Sequence, residues 1–197
     1  MNINSHFRNG WIALVILALG ISVATAKETR VNDFEETAQV EGQTLVLNGH
    51  GPLSVNRVKI YDVGIYLPAA KTTAQEVLAL PGFVRVKIVM LKSINSEMMS
   101  RRFLADIHAN TSKDDRLLIA NQMLTLGMGF DSIGDWNVGD TMTIDWLPGK
   151  GTVIHWNNKQ VSDVLKDPLL MQSILRIWVG DNVYDSKLKR RLLGEKE

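Results

Sequence analysis

The chain has 197 residues, of which 45% are hydrophobic, and it contains no cysteine. A chain of this length can bury enough apolar surface to fold without disulfides. With 22 basic and 21 acidic residues, it lacks the basic excess that is typical of nucleic-acid-binding proteins. Composition therefore predicts one globular domain without a nucleic acid partner.

The N-terminus has the pattern of a secretory signal. Arg8 precedes an uncharged apolar run at residues 11–24, which is shorter than the roughly 20 residues of a transmembrane helix. The run ends in the tripeptide Ala-Thr-Ala, which signal peptidase accepts. We therefore expect residues 1–26 to be removed by cleavage between Ala26 and Lys27, although an uncleaved anchor is an alternative. The predicted location is periplasmic, with secretion as the alternative, and no later segment is apolar enough to span a membrane.

The rest of the chain predicts strands, then helices, then a hairpin, then helices. Residues 27–43 are polar and indicate a mobile or edge segment, followed by one domain over residues 44–194. Alternation, turn residues and helix caps predict these elements in chain order: a strand at 44–48 that ends at Gly49-His50-Gly51, a strand at 57–67, a helix at 73–80, a strand at 83–91, a helix at 96–110, a helix at 113–126 that stops at Gly127, a hairpin of 141–147 and 152–156 around a four-residue loop, a helix at 168–179 capped by Asp167, and a last helix between Asp185 and Gly194. This order is typical of an α+β fold with an antiparallel sheet.

Sequence patterns of known catalytic chemistry are missing. His50, His108 and His155 are not spaced as metal ligands, and cysteine ligands do not exist, so we expect no metal site. The sequence also lacks a nucleophile elbow, a phosphate-binding loop and a dinucleotide glycine pattern. It therefore predicts no cofactor.

Four blocks occur in order at residues 47–51 (LNGHG) with 58–68 (VKIYDVGIYLP), 89–92 (VMLK), 146–152 (WLPGKGT), and 177–181 (IWVGD) with 187–194. Together they resemble the chalcone isomerase-like family, in its bacterial exported branch. The resemblance spans residues 40–194. It implies an open-faced β-sandwich, in which helices are layered on a large antiparallel sheet.

The resemblance also implies positions for the chemistry of the family. Chalcone isomerases close a flavanone ring by attack of a phenolate on an α,β-unsaturated ketone. The family's arginine, threonine, tyrosine and asparagine correspond to Leu53, Tyr61, Met99 and Asp106, so none of the four is kept. Arg57 has the same strand parity as Leu53 and could replace the missing arginine, although a solvated strand edge also explains it. The resemblance thus implies a non-catalytic protein, with an isomerase or intramolecular lyase as the alternative.

Some members of the family bind fatty acids in the same cleft, which implies a small apolar ligand. Met99, Phe103 and Ile107 share one face of the predicted helix, where methionine suits a flexible ligand, although simple core packing is the favoured explanation of the three. The arginine and tyrosine that meet the carboxylate in fatty-acid-binding members are lost here. The hypotheses are an envelope protein that binds an apolar ligand or a protein partner, an isomerase, and a structural accessory protein. The predicted cleft residues are Leu53, Arg57, Tyr61, Met99, Phe103 and Asp106.

The first prediction concerns processing. We expect the mature protein to begin at Lys27 and to be recovered from the periplasm, because the apolar run ends in a cleavable tripeptide. Intact-mass spectrometry of the expressed protein in each cell fraction measures this. A chain that keeps Met1 in the membrane fraction would support the anchor instead.

Overall fold

The computed structural model describes residues 34–195. Its seven strands form one antiparallel sheet in which each strand pairs with its neighbour in sequence. The strands are β1 Thr37–Val40, β2 Gln43–Val55, β3 Val58–Leu67, β4 Val84–Met90, β5 Thr141–Leu147, β6 Gly151–Trp156 and β7 Lys159–Gln160. The predicted signal segment and its cleavage site lie outside the described residues. Within residues 34–195, no helix is both long and apolar enough to cross a bilayer.

Within residues 34–195, six helices accompany the sheet. They are α1 Ala74–Leu78, α2 Ser96–Ala109, α3 Lys113–Leu118, α4 Ala120–Asp131, α5 Pro168–Val179 and α6 Ser186–Leu192. One helix separates β3 from β4, three separate β4 from β5, and two follow the sheet. The predicted α+β order of elements is therefore confirmed. The first strand lies inside the segment predicted to be mobile or at an edge, and it forms one edge of the sheet.

Strand β2 continues through Gly49-His50-Gly51, where the sequence predicted its end. A β-bulge falls between Leu47 and Gly49, and Gly49 faces the backbone of α6. A Cβ atom on Gly49 would lie 2.0 Å from the carbonyl oxygen of Arg191. The glycine therefore marks a close approach of strand and helix rather than a turn.

The turn between β2 and β3 consists of Asn56 and Arg57. Their φ angles are 50° and 67°, and primed hairpin turns require positive φ at both central positions. The prediction that Arg57 lies in the strand was therefore wrong. A register shift between Leu53 and Ser54 then makes Tyr61 the partner of Leu53 across the ladder.

Two further predicted boundaries were also wrong. The helix predicted at 113–126 breaks at Ile119, whose side chain is fully buried, and α4 then continues past Gly127. Here the burial of one side chain overrides the continuous helical pattern. The hairpin loop has three residues rather than four, because Gly151 already pairs with Leu147.

The helices cover one face of the sheet. Val84, Val86, Ile88 and Met90 alternate along β4 and are at most 1% exposed. They belong to one apolar cluster with the α5 residues Ile174, Ile177 and Trp178. The Asp167 carboxylate caps this helix by accepting a hydrogen bond from Leu169 N.

The opposite face of the sheet combines a smaller apolar cluster, which includes Leu45, Tyr66 and Val153, with one buried ion pair. The Arg85 Nε and Nη2 atoms donate to the two carboxylate oxygens of Asp145, each at 2.7 Å. Burial raises the pKa of the neighbouring Tyr66 to about 12. Because the guanidinium and the carboxylate form two hydrogen bonds with each other, each buried charge has a partner.

Asn48, the residue in the bulge of β2, connects three parts of the chain. Its Nδ2 atom donates to the carbonyl oxygens of Lys71 (2.9 Å) and Leu192 (2.7 Å), and its Oδ1 atom accepts from Lys71 N (2.6 Å). The side chain is buried. Asn48 therefore fixes the end of α6 and the segment after β3 to the same strand.

We predict that Gly49→Ala destabilises the protein by about 1–3 kcal/mol, because the new methyl group overlaps the α6 backbone. Urea unfolding of the mature protein measures this change. Gly134→Ala is the matched control, because a methyl group on Gly134 would meet no other part of the chain within 4 Å, and we expect a change within about 0.5 kcal/mol. Equal losses in the two variants would contradict the close contact.

Candidate functional site

A cavity of about 490 Å³ lies between the end of the β2–β3 hairpin and the helices. One wall comes from β2 and β3, a second from α2, and a third from the end of α5 with the loop that leads into α6. The residues that line it are Leu53, Val55, Ile60, Tyr61, Ile94, Met98, Met99, Arg102, Phe103, Asp106, Ala109, Asn110, Ile177, Trp178, Asn182, Val183, Tyr184, Asp185 and Leu188. Small-molecule sites commonly have this size and a similar apolar lining.

The α2 wall is apolar because residues one turn apart lie on the same side of a helix. Met99 and Phe103 are 5% and 3% exposed and face the sheet. The Phe103 ring makes edge contacts with Trp178 at 6.0 Å and with Phe130 at 5.2 Å. These aromatic contacts fix the inner surface of the cavity, whereas Met98 is 65% exposed.

Tyr61 brings a polar group into this apolar lining. Its hydroxyl oxygen accepts a hydrogen bond of 3.0 Å from the indole Nε1 of Trp178, and both side chains are buried. Burial raises the pKa of Tyr61 well above its ordinary value, and the nearby Asp106 carboxylate raises it further, whereas the Trp178 hydrogen bond and Arg102 oppose the shift. The phenol is therefore neutral at physiological pH.

An ion pair lies on the α2 wall. The Arg102 Nε atom donates to Asp106 Oδ2 at 2.8 Å, between side chains that are 57% and 26% exposed. This hydrogen bond raises the pKa of Arg102. The guanidinium also lies 5.4 Å from the ring centre of Tyr184. Arg102 therefore links α2 to the loop before α6.

Two other polar groups of the lining hold the backbone. The Nδ2 atom of Asn110 donates to the Asp106 carbonyl oxygen at 3.0 Å. The Asp185 carboxylate accepts from Lys187 N and Leu188 N at the start of α6. Their hydrogen bonds stabilise the walls of the cavity.

Comparison with known proteins gives the family. The chalcone isomerase-like family matches residues 26–194. The chain belongs to this family.

A solved structure supports the same fold. A fatty-acid binding protein from Arabidopsis thaliana superposes with a TM-score of 0.63 and 15% sequence identity, over 81% of this chain and 90% of that chain. At this identity the likeness concerns the fold alone. It agrees with a chalcone isomerase-like architecture, a curled antiparallel sheet with helices. No curated protein matches the chain.

The structure brings the four positions inferred from the chalcone isomerase-like resemblance around one cavity. Leu53, Tyr61, Met99 and Asp106 all line it, together with the predicted Phe103. Arg57 does not line it, because this residue lies in the exposed hairpin turn. It is therefore not placed to act as a substitute for the family's arginine. A ligand-binding role for the other five residues stays a prediction.

Sequence reasoning missed three of the residues that shape the cavity. Arg102 lies one helical turn before Asp106, and this spacing was the available signal for an ion pair. Trp178 lies in the core, and its hydrogen bond to Tyr61 has no local signature in the sequence. Tyr184 reaches the site only because the loop before α6 folds back onto α2.

The described residues hold no metal-binding cluster. Within residues 34–195, no group of three or more His, Asp or Glu side chains could hold a metal ion. His50 lies near Asp62, with 3.5 Å between Nδ1 and Oδ1, and its ring stacks on Phe34. This pair is not part of the cavity lining.

We predict that Tyr61→Phe lowers stability at pH 7 by about 1–3 kcal/mol, because the buried indole N–H of Trp178 loses its acceptor. The raised pKa of Tyr61 adds a pH dependence. Above a pH of about 10 the unfolded chain releases this proton while the folded chain retains it, so wild-type stability falls as pH rises. The variant lacks this phenol.

The stability difference between wild type and Tyr61→Phe should therefore narrow from pH 7 to about pH 11. Urea unfolding at both pH values measures it, and other ionising groups affect both proteins alike. A difference that stays constant would contradict the strong preference of the folded state for the protonated phenol.

Proposed function

We propose that this protein is an exported, non-catalytic member of the chalcone isomerase-like family, and that it binds a small apolar ligand of fatty-acid type. The observation that carries the proposal is the cavity of about 490 Å³, whose buried inner wall includes Met99, Phe103 and Trp178. An apolar cavity of about 150 Å³ already takes up benzene, so this one has room for a longer molecule.

Two further points support the ligand class. Methionine side chains adapt their shape to flexible apolar ligands, and the structural neighbour from Arabidopsis is described as a fatty-acid binding protein. We extend only the apolar character of such a ligand to this chain. The lining residues come from five separate elements, β2, β3, α2, α5 and α6, so a ligand between them would be enclosed on several sides.

The proposal that the protein is non-catalytic follows from the donors that the cavity offers. Ring closure places negative charge on the ketone oxygen, and removal of one preorganised donor typically costs about 10²–10³ in rate. Leu53 and Met99 cannot donate hydrogen bonds, and Asp106 places a carboxylate where negative charge would develop. Arg102, the cation in the lining, is already bound to this carboxylate.

Export and location in the cell envelope are part of the same proposal. They rest on residues 1–26, whose charge pattern is that of a cleavable signal. In a Gram-negative cell the protein would lie in the periplasm, and secretion into the medium is the alternative. A protein partner in the envelope is the competing function if the cavity has no ligand.

The test begins with protein purified without detergent. We expect native mass spectrometry to show a bound apolar ligand that solvent extraction removes and added lipid restores. Met99→Trp should lower the affinity for the added lipid at least about tenfold, which corresponds to 1.4 kcal/mol, because the larger side chain fills the cavity. Met128→Trp is the matched control, because Met128 lies on α4 and is 65% exposed.

The possible outcomes separate the candidate functions. Leu53→Trp repeats the test from the strand wall if Met99→Trp fails to fold. A cavity that stays empty and takes up no added lipid would favour a structural or partner-binding role. Turnover of a chalcone well above the uncatalysed rate, lost in Arg102→Gln, would instead establish an isomerase.

A further inference from the structure

The charges around the cavity do not suit an anionic ligand. The ionisable side chains of the described lining include one cation, Arg102, and two carboxylates, Asp106 and Asp185. Arg102 already pairs with Asp106 at 2.8 Å. The charge of this guanidinium is therefore already balanced by Asp106, so a ligand carboxylate that bound its remaining N–H groups would lie beside a second negative charge.

The buried hydrogen-bond donor of the cavity is neutral. The Tyr61 hydroxyl accepts from Trp178 Nε1, so its own hydrogen is directed elsewhere. Among residues 34–195, this hydroxyl donates to no acceptor. Tyr61 is 6% exposed, so water gives this hydrogen little compensation. A ligand oxygen that accepts this hydrogen would give the Tyr61 hydroxyl its missing hydrogen bond.

We propose that the ligand is an uncharged long-chain lipid, an ester or an alcohol, whose oxygen accepts the hydrogen bond from Tyr61, rather than a fatty-acid anion. This inference rests on the proposed function, because it names the class of ligand for the same cavity. It also distinguishes this chain from a binder of free carboxylates, which would need an unpaired cation in the lining.

Desolvation gives the physical reason for this selectivity. Moving a carboxylate from water into an apolar site is strongly unfavourable unless a counter-charge and hydrogen bonds compensate for it. A neutral carbonyl or hydroxyl oxygen needs only one donor to satisfy it. Tyr61 provides that donor, and its burial in the wall makes an unmet hydrogen bond costly.

The experiment uses delipidated mature protein and three ligands with the same chain: dodecanoate, methyl dodecanoate and dodecanol. At about pH 8 the acid is ionised in water. Displacement of a fluorescent, uncharged lipid probe gives each affinity. We expect the ester and the alcohol to bind at least about tenfold more tightly than dodecanoate.

Variants then test the two groups that carry the inference. Asp106→Asn removes the negative charge and frees Arg102, so it should raise the affinity for dodecanoate at least about tenfold. Asp131→Asn, at the exposed end of α4, is the matched control and should leave the affinity for dodecanoate unchanged. Tyr61→Phe should weaken binding of the ester and alcohol several-fold more than binding of dodecane, which has no oxygen.

The failures of the two proposals are distinguishable. Dodecanoate that binds the wild type as tightly as the neutral ligands would overturn this inference and leave apolar ligand binding intact. An unchanged dodecanoate affinity in Asp106→Asn would also contradict it. If none of these ligands or the probe binds to folded protein, both the inference and the proposed function fail.

Discussion

The three hydrogen bonds of the Asn48 side chain are the interaction on which the rest of the cavity depends. The amide meets carbonyl and amide groups of Lys71 and the carbonyl oxygen of Leu192, so it holds α6 against β2. Gly49 beside it leaves space for the α6 backbone. Through α6, this contact positions Leu188 and Asp185 in the cavity wall. One buried side chain therefore organises a wall to which it contributes no atom.

This contact also explains why two distant sequence blocks belong together. The LNGHG segment contains Asn48 in the bulge and the neighbouring glycines. The LLG segment at residues 192–194 contains the end of α6, which packs against them. Gly194, with a φ of 85°, ends this segment close to the Asn48 carbonyl oxygen. A buried polar group with all of its hydrogen bonds satisfied specifies one arrangement of its neighbours. Both blocks are therefore structural, while the cavity lies beside them.

Much of the fold could be predicted because its signals are local. Alternation along β4 and the Asp167 cap of α5 depend on residues close in sequence, and the structure confirms both. The inner side of the α2 wall, with Met99 and Phe103, followed from helical spacing. Arg57 was predicted to lie in the strand because the residues around it do not distinguish a strand from a turn. The positive φ angles of the structure show the turn. The contact of Arg102 with Tyr184 joins distant segments, which no local pattern encodes.

The order of the strands has a consequence for how the protein folds. Since every strand pairs with its neighbour in sequence, most of the sheet can form through short connections, which close quickly, although three helices separate β4 from β5. The hydrogen bond between Asn48 and Leu192, in contrast, joins residues 144 positions apart. A chain that has formed its sheet would still lack the third wall until its last helix docks. The cavity is therefore complete only after α6 has docked.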